Sequence, residues 1–167
     1  GKQLYLHNRR NPEETTKVTI FIAALTYSDY FYAEGMTECD IRNWIRVNNN
    51  ALAYFGGITP TVTPDNCKVA VAKNKDWINP ILNKDFQAWA EHNDTVLTPA
   101  KVKAPRWKPV VEGHVKIVTM HILVDMEDMT FYSLDDLNRV LMEKVNEENR
   151  KPFEGLTYSR YDLFTTE

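Results

Sequence analysis

Two acidic side chains stand where this chain most readily offers chemistry. Asp65 follows Pro64 just past a short run of strand-forming residues, and Glu112 falls in the first turn of a predicted helix, with 46 residues between them. In an open α/β sheet, functional groups gather where parallel strands end. An acid at a strand end and an acid at a helix start can converge there. Carboxylates brought to one point repel each other unless a cation lies between them. Ligands that are all oxygen suit magnesium or manganese, which keep several of their waters. A quieter assignment stays open at both positions. Asp65 can cap the turn at Asn66, and Glu112 can serve as a favourable charge at a helix N-terminus. The spacing by itself does not decide between the two.

The cations beside these acids add a second signal. From Pro99 to Lys116 the chain carries Lys101, Lys103, Arg106, Lys108 and Lys116 against Glu112 alone, a net +4 in a chain of formal net charge −3. Lys68, Lys73 and Lys75 follow Asp65 closely, and Trp107 lies within the later cluster. Basic residues with an interleaved aromatic suit backbone phosphates and an unstacked base, although charged loops are commonly just solvated. A domain that holds DNA through overall charge is usually basic. With a pI of about 5.8, any such contact here must come from a local patch or be shared with parts outside this chain. Lys116, four residues after Glu112, is either an i, i+4 ion-pair partner worth ~0.2–0.5 kcal/mol or a phosphate ligand, and both readings stand.

The other reactive side chains form no constellation. His7, His92, His114 and His121 lack metal spacing and read as surface or satisfied residues. Tyr27, Tyr30, Phe31 and Tyr32 read as sheet packing, with Asp29 and Glu34 as solvent-facing strand acids. Cys39 and Cys67 form neither a CxxC pair nor a zinc pattern, and read as reduced thiols of a cytoplasmic protein. No phosphate-cradling glycine loop and no nucleophile elbow is present.

The elements that must carry these groups follow from length and pattern. At 167 residues the chain has the size of one domain and can bury a core without disulfides or a structural metal. A hydrophobic fraction of 43% and a charged fraction of 26% exclude a disordered tail, a collagen-like fibre and a disulfide scaffold. No apolar run approaches the ~20 residues of a membrane span, and the start shows no signal segment. Leu4–Leu6, Lys17–Leu25 and Thr26–Glu34 predict an antiparallel meander, broken at Gly35. A helix follows, with Thr37 as N-cap, Ile41, Trp44, Ile45, Leu52 and Phe55 at helical spacing, and Gly56-Gly57 as its end. Ile58–Thr63 predicts a strand, Cys67–Asn79 a polar and basic loop, Pro80–His92 a helix and Thr95–Thr98 a last strand. Pro109–Asp125 predicts a helix whose stripe Val111, Val115, Val118 and Ile122 faces the core, with Glu112, Lys116 and Thr119 on its flank. Ser133–Asn146 predicts a helix with Ser133 as N-cap, and Lys151–Glu167 a turn-rich tail. The order β-β-β-α-β-α-β-α-α gives an α/β fold, a mixed five-stranded sheet with helices on both faces, and it is the order of the ribonuclease H-like fold.

Several segments resemble one known family. FGGITPTVTPDN (Phe55–Asn66), PAKVKAPRWKPVVE (Pro99–Glu112) and NRKPFEGLTYSRYDLF (Asn149–Phe164) resemble the IstA-type insertion-sequence transposases in order and spacing. SDYFYAE (Ser28–Glu34), NNALAYFGG (Asn49–Gly57) and TFYSLDDLN (Thr130–Asn138) extend the resemblance through nearly the whole chain. It implies a catalytic core of the retroviral integrase and ribonuclease H-like superfamily, with an Asp-Asp-Glu site for two Mg2+ or Mn2+ ions. Asp65 matches the second acid of that site and Glu112 the third, while Asp29 does not match the first. The first acid would precede Gly1, so residues 1–167 are expected to be an excised core, without the flanking DNA-binding and carboxy-terminal domains, that binds metal weakly and is inactive alone. Thr59, Trp107 and Pro109 depart from the family pattern and put loop contacts in doubt more than chemistry.

The implied reaction is metal-dependent 3′-end cleavage followed by strand transfer, with Lys101, Lys103, Arg106, Lys108 and Lys116 positioning phosphates. The implied partners are transposon-end and target DNA, further copies of the chain and a helper AAA-type ATPase, with no membrane. A non-catalytic multimerisation or docking module, and a structure-selective nuclease on the same fold, remain as alternatives.

Overall fold

The computed structural model describes residues 3–64, 69–70, 77–98 and 116–167. They fall into two compact units, one formed by Gly1–Thr37 with Lys108–Glu167 and the other by Glu38–Trp107.

The first unit is built on the expected antiparallel meander. Strands β1 (Leu4–His7), β2 (Thr15–Ala24) and β3 (Phe31–Met36) pair in sequence order, with Leu4 opposite Val18 and Ile22 opposite Ala33. Side chains alternate across a strand, so Leu4, Val18, Phe31 and Ala33 share one face with Leu6, Ile20, Ile22 and Ala24. Helical residues close over that face: Val118, Ile122, Leu123 and Met126, then Leu137, Leu141 and Val145 of the long helix Leu134–Arg150. The last three recur every four residues and are fully buried, each contributing about 1.5–3 kcal/mol of apolar burial.

β3 begins later than the pattern predicts. Residues Thr26–Ser28 form a turn, Asp29 adopts the left-handed region at φ 57°, and the Tyr30 N–H is held by the Ser28 hydroxyl. The aromatic run that imitates a strand therefore spans a turn, and Tyr27 is exposed. Nor does Gly35 break the strand. It lies within β3 because a Cβ there would come within 2.7 Å of Val18 Cγ1 and 3.2 Å of Asn138 Oδ1.

The free edge of β3 is covered by the long helix. Asn138 accepts from the Gly35 N–H (2.7 Å) and donates to the Gly35 carbonyl (3.2 Å). Eleven residues later, Asn149 repeats the arrangement on Phe31, accepting at 3.2 Å and donating at 2.8 Å. Two side-chain amides thus stand in for a neighbouring strand, satisfying backbone groups that an edge otherwise leaves bare.

In the second unit, α1 (Ile41–Phe55) is capped by Asp40, whose carboxylate accepts from the Asn43 N–H at 2.9 Å. Thr37 is therefore not the cap. Gly56 ends α1 at φ 77°, as expected. Strands β4 (Thr61–Val62) and β7 (Val96–Leu97) pair in parallel. Between them, the predicted loop over Cys67–Asn79 contains an antiparallel pair, β5 (Val69–Ala70) with β6 (Trp77–Ile78). A 3-10 turn at Pro80–Leu82 precedes α2 (Lys84–His92), which is capped separately by Asn83. Phe86 stacks on Trp89 and meets the edge of Trp44, and the Trp89 indole donates to Asn49 at 2.6 Å, locking α2 onto α1.

Back in the first unit, a π-helical turn (Val118–Leu123) runs into α3 (Val124–Met126). α4 (Leu134–Arg150) takes Ser133 as its N-cap, as expected, but extends four residues beyond Asn146. The tail holds a fifth helix, α5 (Arg160–Phe164), where only turns were expected, fixed by a capping box between Ser159 and Asp162. The expected single five-stranded sheet is not what the described residues form: they make one three-stranded and two two-stranded sheets. No described helix is long and apolar enough to cross a membrane.

Candidate functional site

Asp65 and Glu112 lie outside the described residues, as do Lys101, Lys103, Arg106 and Lys108. Of the residues singled out by sequence, Lys116 is described. It is exposed at the start of the helical stretch leading into the π turn and makes no ion pair among the described residues. What can be built from the residues upward is the framework from which the two acids emerge.

The first part of that framework is the parallel pair. The Val96 N–H donates to the Pro60 carbonyl (3.1 Å) and the Thr98 N–H to the Val62 carbonyl (3.0 Å). The Thr95 hydroxyl adds a bond to the Thr59 carbonyl at 2.8 Å. At the exit, the hydroxyls of Thr63 and Thr98 lie 2.7 Å apart. Asp65 follows two residues after Thr63, and the basic segment ending at Glu112 starts directly after Thr98. Both acid-bearing segments therefore leave from the same end, the carboxyl ends of neighbouring parallel strands, where α/β sheets place their ligands. The hydroxyl pair joining these exits was missed by sequence reasoning. Nothing distinguishes Thr63 and Thr98 from other strand-end threonines until the register is known.

The second part is the helix that follows Glu112 in sequence. Val118, Ile122 and Met126 recur every four residues and are all buried. Residues four apart lie on one face of a helix, so all three are turned to the core. The stripe predicted from α-helical spacing holds for Val118 and Ile122, while its members Val111 and Val115 lie outside the described residues. Polar rungs tie this segment to α4. His121 Nδ1 lies 3.1 Å from Glu148 Oε1, and Lys144 Nζ lies 3.4 Å from Asp125 Oδ2. Glu148 is buried, and its other oxygen accepts from Lys151 Nζ at 3.1 Å. Burial alone would raise the Glu148 pKa, but the hydrogen bonds from Lys151 and His121 outweigh it and hold the carboxyl below its ordinary value. His121 is thus a satisfied histidine, as its lack of metal spacing suggests.

Two strand acids turn out differently from expectation. Glu34 is buried rather than solvent-facing, with the Tyr32 hydroxyl 2.5 Å from its carboxylate, and Asp29 sits on a turn rather than in a strand. Among the described residues, no group of three or more His, Cys, Asp or Glu side chains is arranged to hold a metal ion.

Comparison with known proteins places this framework. Residues of the chain are 37% identical over 145 positions to a Sinorhizobium fredii protein named as a transposase, covering 87% of this chain and 28% of that protein. They are 34% identical over 154 positions to the protein named as transposase of insertion sequence IS1162 in Pseudomonas fluorescens, covering 90% of this chain and 27% of that one. The chain is homologous to insertion-sequence transposases. This transposase homologue spans little more than a quarter of those relatives' length. No family model matches it. Its fold is that of an integrase catalytic core. The core domain of bovine immunodeficiency virus (BIV) integrase superposes with a TM-score of 0.69 at 13% identity, covering 98% of this chain and 91% of that one. The HTLV-2 integrase core in complex with magnesium superposes at 0.66 and 13% identity, covering 98% and 93%. These neighbours support the ribonuclease H-like α/β assignment.

Proposed function

We propose that this chain is part of the catalytic core of an integrase-type transposase, which cuts DNA at the ends of a mobile element and joins the 3′ ends to target DNA. The observation that carries the reading is the homology to transposases across 87% of the chain. The shared exit of β4 and β7 supports it, because it brings the roots of both acid-bearing segments side by side.

In this reading Asp65 and Glu112 hold the metal. Their donor set is oxygen only, which fits a hard divalent cation such as Mg2+ or Mn2+. When bound, such ions supply Lewis acidity to the attacking and leaving oxygens of a phosphodiester. The chain's own residues supply position and charge. Lys101, Lys103, Arg106, Lys108 and Lys116 neutralise DNA phosphates without reading sequence and hold the scissile group in line for displacement. Asp65 and Glu112 would supply the negative charge that holds the cation. DNA ends, target DNA, further copies of the chain and a helper ATPase are the partners this reading brings with it.

The test uses a full-length transposase carrying this chain. Asp65→Asn and Glu112→Gln each lower Mg2+-dependent strand cleavage by about a hundredfold or more, while DNA affinity stays within about threefold. Cleavage that persists in either variant overturns the reading. Alanine at Lys101, Lys103 and Arg106 weakens DNA binding and reduces the salt slope by ~0.9 for each phosphate no longer neutralised.

A further inference from the structure

Helix α1 carries two arginines and no acid over its whole length. Its buried residues are Trp44, Val47, Asn48 and Ala51, and its exposed ones are Arg42, Arg46, Asn49, Asn50 and Ala53. At 3.6 residues per turn the exposed set occupies an arc of about 100°, on the side opposite the buried set. Arg42, Arg46 and Asn49 follow one another along that arc over about 10 Å of helix axis. Neither arginine makes an ion pair among the described residues. The large apolar side chains that are exposed among the described residues all lie off α1.

The helix is held from its inner side. Trp44 meets Phe86 edge-on, and the Trp89 indole donates to Asn49 Oδ1 at 2.6 Å. An indole N–H can only donate, so the Asn49 oxygen is drawn inward and its NH2 group is the half left to solvent. Arg42, Arg46 and Asn49 thus present donors alone. A concavity of about 560 Å³ opens beside them, with Glu38 and Asp40 also in its wall. The Asp40 carboxylate is buried and engaged in the N-cap bond to Asn43. Glu38 is exposed, four residues before Arg42.

Donors without carboxylate partners, and without an apolar centre, suit an anion better than a second protein, whose interface core would be apolar. An anion that repeats its charge along 10 Å is a nucleic-acid backbone, since duplex DNA carries one negative charge per ~1.7 Å of axis. A helix that reads bases must enter the ~12 Å major groove, whereas α1 offers only the exposed arc and suits the phosphates outside the groove. We infer that Arg42, Arg46 and Asn49 seat backbone phosphates of double-stranded DNA without reading its sequence, a contact additional to the one proposed for the Lys101–Lys108 segment. The inference rests on the reading of this chain as part of a DNA-joining transposase.

The test uses a full-length transposase carrying this chain and two duplexes, an element end and an unrelated sequence, with binding followed by fluorescence anisotropy across a salt series. Arg42→Ala combined with Arg46→Ala is expected to reduce the salt slope by ~1.8, or ~0.9 for each phosphate no longer neutralised, and to lower affinity about tenfold or more on both duplexes. Alanine is the best helix former and both positions are exposed, so the thermal midpoint stays that of wild type. Arg42→Lys with Arg46→Lys, which keeps both charges, retains the slope. Glu38→Gln removes an acid that repels phosphate and raises affinity about twofold. A double-alanine slope within ~0.5 of wild type overturns the inference; if alanine at Lys101, Lys103 and Arg106 still reduces the slope, the transposase reading stands. A loss confined to one duplex would mean base reading, and a changed number of assembled copies at an unchanged slope would mean a contact between copies of the chain; either also overturns it. If the wild-type protein neither binds nor cleaves DNA, the transposase reading itself fails and takes the inference with it.

Discussion

Asn149→Ala removes the side chain that satisfies the Phe31 backbone from the open side of β3. Asn149 is 1% exposed and Phe31 is 0% exposed, so water cannot replace the missing bonds without opening the core. Two groups lose the bond that Asn149 makes, the Phe31 N–H at 3.2 Å and its carbonyl at 2.8 Å from the amide. An unsatisfied buried polar group costs about 1–3 kcal/mol. The variant is therefore expected to lose about 2–5 kcal/mol, a large share of the ~5–15 kcal/mol available to a domain. Asn138→Ala makes the same deletion at Gly35, which is also buried, but Asn138 itself is half-buried, so its removal opens a path for water and the variant is expected to lose only about 1–2 kcal/mol. Urea unfolding with an unchanged m-value reads both losses, and hydrogen exchange locates them, accelerating first at the Phe31 amide. A loss below about 1 kcal/mol in Asn149→Ala, or equal losses in the two variants, would refute the argument that these amides substitute for a missing strand.

Gly35→Ala forces a methyl to within 2.7 Å of Val18 Cγ1, and overpacking of this kind is expected to lower stability by about 1–3 kcal/mol in thermal or urea unfolding. Asp40→Ala removes the α1 N-cap and is expected to lose ~1 kcal/mol, whereas Thr37→Ala, at the position first favoured by sequence, should change little. The Glu148 carboxyl is held below its ordinary value of 4.5, so it contributes stability that is present above that pH and is lost as pH falls through its lowered pKa. The stability gap between wild type and Glu148→Gln should accordingly be constant near neutrality and shrink below pH 4.5; a gap that widens on acidification would contradict the assignment.

The meander, α1, α2 and α4 were legible because their signals are local. Branched apolar runs make β1 and β2, Gly56 ends α1, and Ser133 starts α4. The misreadings have long-range causes. Gly35 reads as a breaker along the chain, but it is a small residue demanded by Val18 and Asn138, which lie 17 and 103 positions away. The β5–β6 pair is two residues per strand, too short for any alternation to register. The π turn is six residues inside a helix, and its buried side chains keep the spacing of an ordinary α-helix, so no sequence pattern marks it. For the site, sequence named the acids and the cations. The pairing of Thr63 with Thr98, and the grip of Glu148 on His121, depend on residues 35 and 27 positions apart that no motif joins.

Anomalous diffraction from crystals of a full-length transposase carrying this chain, soaked in Mn2+, tests the central claim most directly. The account predicts manganese peaks bridged by carboxylate oxygens of both Asp65 and Glu112, next to the exits of β4 and β7. Peaks that engage only one of the two side chains, or a Glu112 carboxyl packed among Val118 and Ile122, would contradict it.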